Sequence, residues 1–347
     1  MATNITEIVP TGAIRYNTDS NKMECFNGTK WMQVSVSSPD LDGGARGLIA
    51  GGRCPSFVAT IDYINISAAS NALDFGDLTV ARESAGGCAS RTRGLFAGGY
   101  HPGASDDEID YVTFSSTGNA IDFGNILNSA YAPGAVSNET RGVFAGGFPY
   151  GDLIQYVTIA TTGNAVDFDG NLTVSRRYAG GVASPTRGIF GGGDNQPSSA
   201  SGDAMQNVLD YITITSTGYN ASDFGDLIQR THFGVGSAGN SVRGIWSCGM
   251  LGWAPSWASS TVTNYVTIAT LGNAQTFGDL TQSRGYSGGV SSPIRVCIGG
   301  GFHGPSTTRY NTIDYVTIAT QGDFVDFGDL LDTRTAPGAN SNAHGGL

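Results

Sequence analysis

The residues able to ligate a metal or move a proton are few in this chain, and their spacing argues against a reaction centre. The four histidines, His101, His232, His303 and His344, form no HxH or HExxH pattern of the kind that grips zinc or copper. The five cysteines, Cys25, Cys54, Cys88, Cys248 and Cys297, are odd in number and include no CxxC pair. They read as isolated, mostly buried thiols rather than a metal site or a disulfide framework. Asp-Phe-Gly occurs at Asp74, Asp122, Asp223 and Asp326. In a protein kinase that triplet holds magnesium, but no Gly-rich nucleotide loop or catalytic-loop motif accompanies it here. The Gly-Gly pairs are followed by no Lys-Ser/Thr and open no helix, so they are not a phosphate cradle. The expectation is a chain without catalytic residues, metal or cofactor. The enzymatic alternative is a glycan-active protein using scattered carboxylates.

Composition narrows the partners. With 18 Lys+Arg against 29 Asp+Glu, the net charge is −11. Nucleic-acid binding needs a basic footprint, so DNA and RNA are not expected partners. The opening segment, Met1 to Tyr16, lacks the charged and apolar regions of a secretory signal. No apolar run reaches the ~18 residues of a membrane-crossing helix, so membrane insertion is not expected.

The elements that position these residues come from a repeat. Arg46-Gly-Leu-Ile-Ala-Gly-Gly52 returns at Arg93, Arg141, Arg187, Arg243 and Arg295, at intervals of 47, 48, 46, 56 and 52 residues. After each copy and a variable loop comes a segment built like Ile109-Asp-Tyr-Val-Thr-Phe114, then one built like Asp74-Phe-Gly-Asp-Leu78. The alternation of apolar residues with Thr has a period of two, which is that of a strand. Ser-Thr-Gly-Asn and Thr-Thr-Gly-Asn between segments are turn signals. Each unit therefore holds about four short strands, the size of one blade of a β-propeller. Every unit carries one Tyr (Tyr63, Tyr111, Tyr156, Tyr211, Tyr265, Tyr315) and one Phe (Phe75, Phe123, Phe168, Phe224, Phe277, Phe327), expected to pack between blades.

First strands are expected to begin near Arg82, Ala130, Arg176, Arg230, Arg284 and Arg334. The last of these has no second strand after it, and the first Arg-Gly segment has only a short lead-in. Residues 334–343 are therefore expected to supply the missing strand of blade one. The recurring Arg, with Asp77, Asp226, Asp279 and Asp329, are expected to form internal ion pairs and carbonyl contacts rather than an anion site.

The unit resembles a kelch repeat. Arg176-Arg-Tyr-Ala-Gly-Gly-Val opens one, Gly192-Gly193 ends its second strand, and Tyr211 and Phe224 follow. The resemblance covers about residues 40–347, with Phe where kelch units usually carry Trp. It implies an all-β fold, a six-bladed kelch-like β-propeller over 39–347 whose C-terminal strand closes blade one. It does not by itself imply an activity.

Residues 1–38 lie outside the repeat and read as a short β-hairpin arm, with strands in Gly12–Asn17 and Lys22–Asn27 and a continuation after the Asn27-Gly28 turn. Tyr16, Asn17, Glu24, Gly28 and Trp31 are placed as in a small β-module of bacteriophage tail-fibre and related virion proteins. The Tyr-Val-Thr-Ile wording of the repeat also resembles marine-phage structural proteins. These resemblances imply a non-enzymatic virion protein, a tail-fibre or tail-associated propeller. The arm would join other virion proteins, the chain would be a homo-oligomer in the assembly, and the partner outside the particle would be a host-surface glycan or protein. The alternatives are a purely architectural virion subunit and a cellular kelch-type interaction module.

The loops after the second strands (100–108, 148–153, 194–207, 250–261 and 302–312) differ from unit to unit. Binding function concentrates in such loops. The candidate binding residues are His101, Asp194, Asn195, Gln196, Met250, Trp253, Trp257 and His303, with the two Trp suited to sugar stacking or a protein contact.

Overall fold

The computed structural model describes residues 9–17, 22–33, 45–195, 204–231, 236–247, 249–252 and 258–347. Contacts divide the chain into two units, Met1–Leu41 and Asp42–Leu347.

In the smaller unit, Ile14–Asn17, Lys22–Phe26 and Trp31–Gln33 form a three-stranded antiparallel sheet, so the expected hairpin gains a third strand. The turn residue Asn27 makes this possible: its Oδ1 accepts the N–H groups of Thr29 and Lys30 at 3.0 and 2.9 Å. Glu24 then ties the face together, accepting from Asn17 Nδ2 at 3.0 Å and Arg15 Nε at 2.8 Å. Those bonds, Asn17 first, hold its carboxyl below the usual range. Arg15 also lies 4.2 Å over the Trp31 ring.

The larger unit is all-β, with no α-helix among its described residues and six four-stranded antiparallel sheets. The second strands are the Arg-Gly segments Arg46–Ala50, Arg93–Ala97, Arg141–Ala145, Arg187–Gly191, Arg243–Ser247 and Arg295–Gly299, taken here as sheets one to six. Third strands carry the Tyr-Val-Thr-Ile wording (Glu108–Thr113 in sheet two), and fourth strands carry the Phe (Ile121–Asn125). The period of two is realised: Val112 and Phe114 are buried and Thr113 is exposed. The Gly-Gly pairs turn the corner after each second strand. Gly51 and Gly52 sit at φ 62° and 101°, and a Cβ on Gly51 would strike the Arg82 carbonyl.

First strands are Gly86–Ala89, Gly134–Ser137, Gly180–Ala183, Ser237–Gly239 and Gly288–Ser291. Sheet one takes its first strand from the far end of the chain: Gly338–Ser341 pairs antiparallel with Arg46–Ala50, from Gly338↔Ala50 to Ser341↔Gly47. Arg230 departs from the expected lead-in position. The fourth strand of sheet four runs on to Thr231, which puts Arg230 inside that strand and exposed.

Neighbouring sheets share apolar clusters. Phe75 of sheet one packs with Val112 and Phe114 of sheet two. Phe327 and Leu330 of sheet six pack with Ile49 and Ile64 of sheet one, so the neighbour relation returns to its start. In every sheet the Tyr meets the Phe edge-on, with centroids 5.6–6.3 Å apart. The second-strand Arg stacks over that Tyr at 4.1–5.2 Å. Its guanidinium reaches a main-chain carbonyl of the next sheet: Arg46 to Phe114, Arg93 to Ile159, Arg141 to Ile214, Arg187 to Ile268, Arg243 to Ile318 and Arg295 back to Ile66. The arrangement is propeller-like, with the first strands innermost.

Candidate functional site

The recurring lead-in arginines are structural. Arg82, Arg176, Arg284 and Arg334 are all fully buried. They pair with Asp110, Asp210, Asp314 and Asp62 at 2.9, 2.9, 2.8 and 2.8 Å. These partners are the Asp of the third strands, not Asp77, Asp226, Asp279 or Asp329. The latter lie in fourth strands, Asp77, Asp279 and Asp329 at their ends and Asp226 inside the longer one, and the main-chain N–H of Asp77, for example, donates to Asn119 Oδ1 of the next turn at 3.1 Å. Each buried Asp also accepts a main-chain N–H, as Asp110 does from Thr79 at 3.1 Å. Sheets three and five keep that acceptor without the charge. Gln155 accepts from Leu127 at 2.7 Å and Asn264 from Ile228 at 3.1 Å. In the same two sheets the Arg position is Ala130 and, by sequence, residue 232. Guanidinium and carboxylate are thus present together or absent together. Burial still pushes the Asp62 and Asp110 carboxyls up, against the pull of their Arg partners.

A second set of equivalent positions frames an opening between the first strands. Ser84, Ala132, Tyr178, Tyr286 and Ala336 each sit in the left-handed region, at φ 53–60°. A non-glycine residue there costs on the order of 1 kcal/mol. The geometry lets their main chains bond from sheet to sheet: Ala132 N–H to Ser84 O, Tyr178 to Ala132, and Ala336 to Tyr286, each at 2.8 Å, then Ser84 to Ala336 at 2.7 Å. The fifth sheet's contribution lies in 232–235, outside the described residues.

Inside this frame is a cavity of about 110 Å³, walled by Gly, Ala, Pro and Ser together with Tyr178 and Tyr286. A further cavity of about 60 Å³ continues inward and ends on His344 and Gly345. Both are lined by Gly87, Ala135, Gly181, Ser237, Gly289 and Ala339, the half-buried residues that follow Gly86, Gly134, Gly180, Gly236, Gly288 and Gly338. Gly alternates there with Ala or Ser. A Cβ on Gly87, Gly181 or Gly289 would strike the carbonyl of Ala339, Ala135 or Ser237 in the preceding sheet. The strands are therefore as close as main chains allow, and the opening stays narrow.

Aromatic and charged groups surround the opening. Tyr178 meets Tyr286 edge-on at 5.7 Å and Tyr131 at 6.1 Å. Arg177 donates to Asp194 Oδ1 at 2.9 Å and to the Tyr131 hydroxyl, and lies 5.3 Å from the Tyr178 ring. Burial pushes the Tyr178 and Tyr286 hydroxyls up, so they remain protonated donors at neutral pH. Burial likewise raises the Glu83 carboxyl, opposed by Arg53 and Arg309.

Of the loop residues singled out from sequence, Asp194 and Met250 are both 0% exposed and hold the loop bases. Asp194 does so through Arg177. His101, Asn195 and His303 are half-buried. His303 Nδ1 is 2.6 Å from Ser306 Oγ within its own loop. Gln196, Trp253 and Trp257 lie outside the described residues. None of the described candidates lines either cavity; Asp194 is connected to the opening only through Arg177, which lies against Tyr178. Sequence reasoning missed Tyr178, Tyr286 and Ser287, although Gly285-Tyr286-Ser287-Gly288-Gly289 has the spelling of a nucleophile elbow. That segment leads into a strand, no helix follows it, and Ser287 Oγ has no hydrogen-bond partner to activate it. Among the described residues, no group of three or more His, Cys, Asp or Glu is placed to hold a metal ion. The buried Cys88 and Cys297 thiols are pushed up by desolvation, Cys297 to about 12.

His344 closes the inner end. Its Nε2 lies 2.9 Å from Ala89 O and 3.1 Å from Ser137 Oγ, and its Nδ1 accepts from Gly346 N–H at 3.0 Å. Those bonds fit the neutral Nε2–H ring. Burial depresses its pKa to about 4 from the ordinary 6.5. Above pH 6.5 the ring is neutral whether the chain is folded or not, so its contribution is fully present. As pH falls from 6.5 towards 4, the unfolded chain takes up a proton that the folded one refuses. Stability should then drop by at most ~1.4 kcal/mol per pH unit from this group. Urea midpoints of wild type and His344→Ala at pH 7 and pH 4.5 measure it: the stability difference between the two proteins should shrink at the lower pH. A constant difference would mean that His344 does not titrate in this window.

No protein-family model matches the chain, and no curated protein matches its sequence.

Proposed function

We propose that the larger unit is a closed, six-bladed kelch-like β-propeller that works without chemistry of its own, as a recognition module of a bacteriophage virion, in a tail fibre or associated with the tail. The small N-terminal sheet is its attachment to other virion proteins, and the outward partner is a host-surface glycan or protein. The observation that carries the recognition reading is the division of labour in the repeat. The recurring Arg of the lead-ins and second strands are occupied in bonds within or between sheets. What differs from sheet to sheet is the loops and the residues framing the opening, and variable positions on a rigid frame suit binding. The virion assignment is supported by the resemblances of the arm and the repeat to phage structural proteins.

Mass spectrometry of purified particles tests the assignment: the chain should be present at a fixed copy number. Replacing Trp253 and Trp257 together with Ala should leave melting unchanged and lower adsorption of the purified chain to host cells about tenfold or more, as for aromatic anchors. Unchanged adsorption with lowered melting would make the pair scaffold and remove them from the recognition surface.

A further inference from the structure

One face of the small N-terminal sheet is apolar and exposed. Successive residues of a strand point to opposite faces. The register pairs Ile14 with Cys25, Tyr16 with Met23 and Cys25 with Met32, so these residues share one face. Arg15, Asn17, Glu24, Phe26 and Trp31 share the other, joined by the Arg15–Glu24 pair at 2.8 Å and the Phe26–Trp31 ring contact at 5.4 Å. The first face has no such cover: Ile14, Tyr16, Met23 and Met32 are 64, 56, 45 and 46% exposed. Strands of four, five and three residues do not hold their register unaided, and a sheet this short needs its apolar face buried.

We propose that this face packs against the same face of a second copy of the chain, two small sheets stacked about a two-fold axis. The inference does not rest on the virion assignment. A unit as small as Met1–Leu41 is stabilised by a disulfide, a metal or association. Cys25 is a free thiol, and among the described residues no group of three or more His, Cys, Asp or Glu is placed to hold a metal, which leaves association. Charge selects the partner. The described side chains of this face are all uncharged, so a two-fold axis sets no like charges against each other, and nothing there recognises a charged partner. Residues 1–41 carry three Lys+Arg against four Asp+Glu, whereas the whole chain stands at −11. Two copies therefore meet through the small unit without the repulsion that the rest of the chain brings. The four exposed side chains present roughly 450 Å² per copy, and pairing them buries on the order of 900 Å², below the ~1,200–2,000 Å² of a stable interface, so the pair is reversible.

Sedimentation velocity of the full chain provides the test. Wild type should pass from monomer at about 1 µM to mostly dimer at about 100 µM, as a small apolar interface implies. Met23→Glu combined with Met32→Glu should stay monomeric throughout. Leu73→Glu, the same charge placed on a 58% exposed residue of the larger unit, should dimerise like wild type. Maleimide labelling of wild type, mapped by mass spectrometry, keeps the test valid if the double variant unfolds its small sheet. Cys25 should label about fivefold more slowly at the higher concentration, while the half-buried Cys54 labels alike at both. A wild type that stays monomeric, an assembly larger than a dimer, unchanged dimerisation of the double variant, or a dimer whose Cys25 labels as fast as in the monomer each overturns the proposal. So does protection of Cys25 that persists on dilution, which means that the face is covered within one chain.

Discussion

A chain lacking residues 334–347 is expected to be a poorly stable, self-associating protein rather than a monomer with a frayed end. The deletion removes the first strand of sheet one, leaving Arg46–Ala50 without one of its two strand neighbours. Leu48 and Ile49, 0% and 1% exposed in the intact chain, sit on that uncovered edge, and such an edge pairs with other copies. It also removes Arg334 from Asp62, which is 1% exposed. A buried carboxylate that loses its partner costs about 3–5 kcal/mol. At roughly 2–4 °C per kcal/mol for a large domain, that term alone lowers the melting temperature by about 10 °C. Thermal melts with light scattering after size exclusion provide the check. A shorter deletion, residues 342–347, keeps the strand and Arg334 and should remain monomeric. Equal behaviour of both truncations would show that the closing strand is not what stabilises sheet one.

The second large effect is expected at Arg176 and Asp210, and it should depend on how the pair is broken. Asp210→Ala strands a fully buried guanidinium and should cost about 3–5 kcal/mol in urea unfolding, as should Arg176→Ala with Asp210 left behind. Changing both, to Ala at 176 and Gln at 210, should cost only about 1–2 kcal/mol, mainly for the space the Arg vacates. The reason lies in the molecule itself. Ala130 and Gln155 are that neutral arrangement, with Gln155 still accepting a main-chain N–H at 2.7 Å. The thermodynamic cycle over the four proteins yields the coupling directly. Additive losses would mean that the pair contributes nothing beyond its separate side chains.

The strands were readable because their signals are local. Tyr-Val-Thr-Ile carries a period of two, Arg-Gly leads a short continuous apolar run that is buried from its second residue on, and Asp-Phe-Gly places one buried Phe between exposed and half-buried neighbours; each became the strand it suggests. The closing strand could be placed from an excess: residues 334–343 looked like a first strand with no sheet of their own, and 338–341 pair with 46–50. The ion pairs were harder, since two Asp recur in most units and strand alternation alone does not choose between them. The deciding signal was the joint absence of Arg and Asp at Ala130 and Gln155, which becomes visible only once register fixes equivalent positions. The opening was not legible at all. Ser84, Ala132, Tyr178, Tyr286 and Ala336 share a backbone conformation, not a residue type, and only the arrangement of the sheets gathers them.

The antiparallel closure of sheet one also sets how the larger unit responds to tension. The chain enters at Arg46 and leaves after Ser341, and the register Ser341↔Gly47 puts both at the same end of the paired strands. A pull applied through the two ends therefore meets the hydrogen bonds one after another, as in opening a zipper, instead of loading them all at once in shear. The junction that holds the sheets together at equilibrium is thus the one that yields first under force. A shaft attached through a single end leaves it unloaded, whereas a tether through both ends would open it.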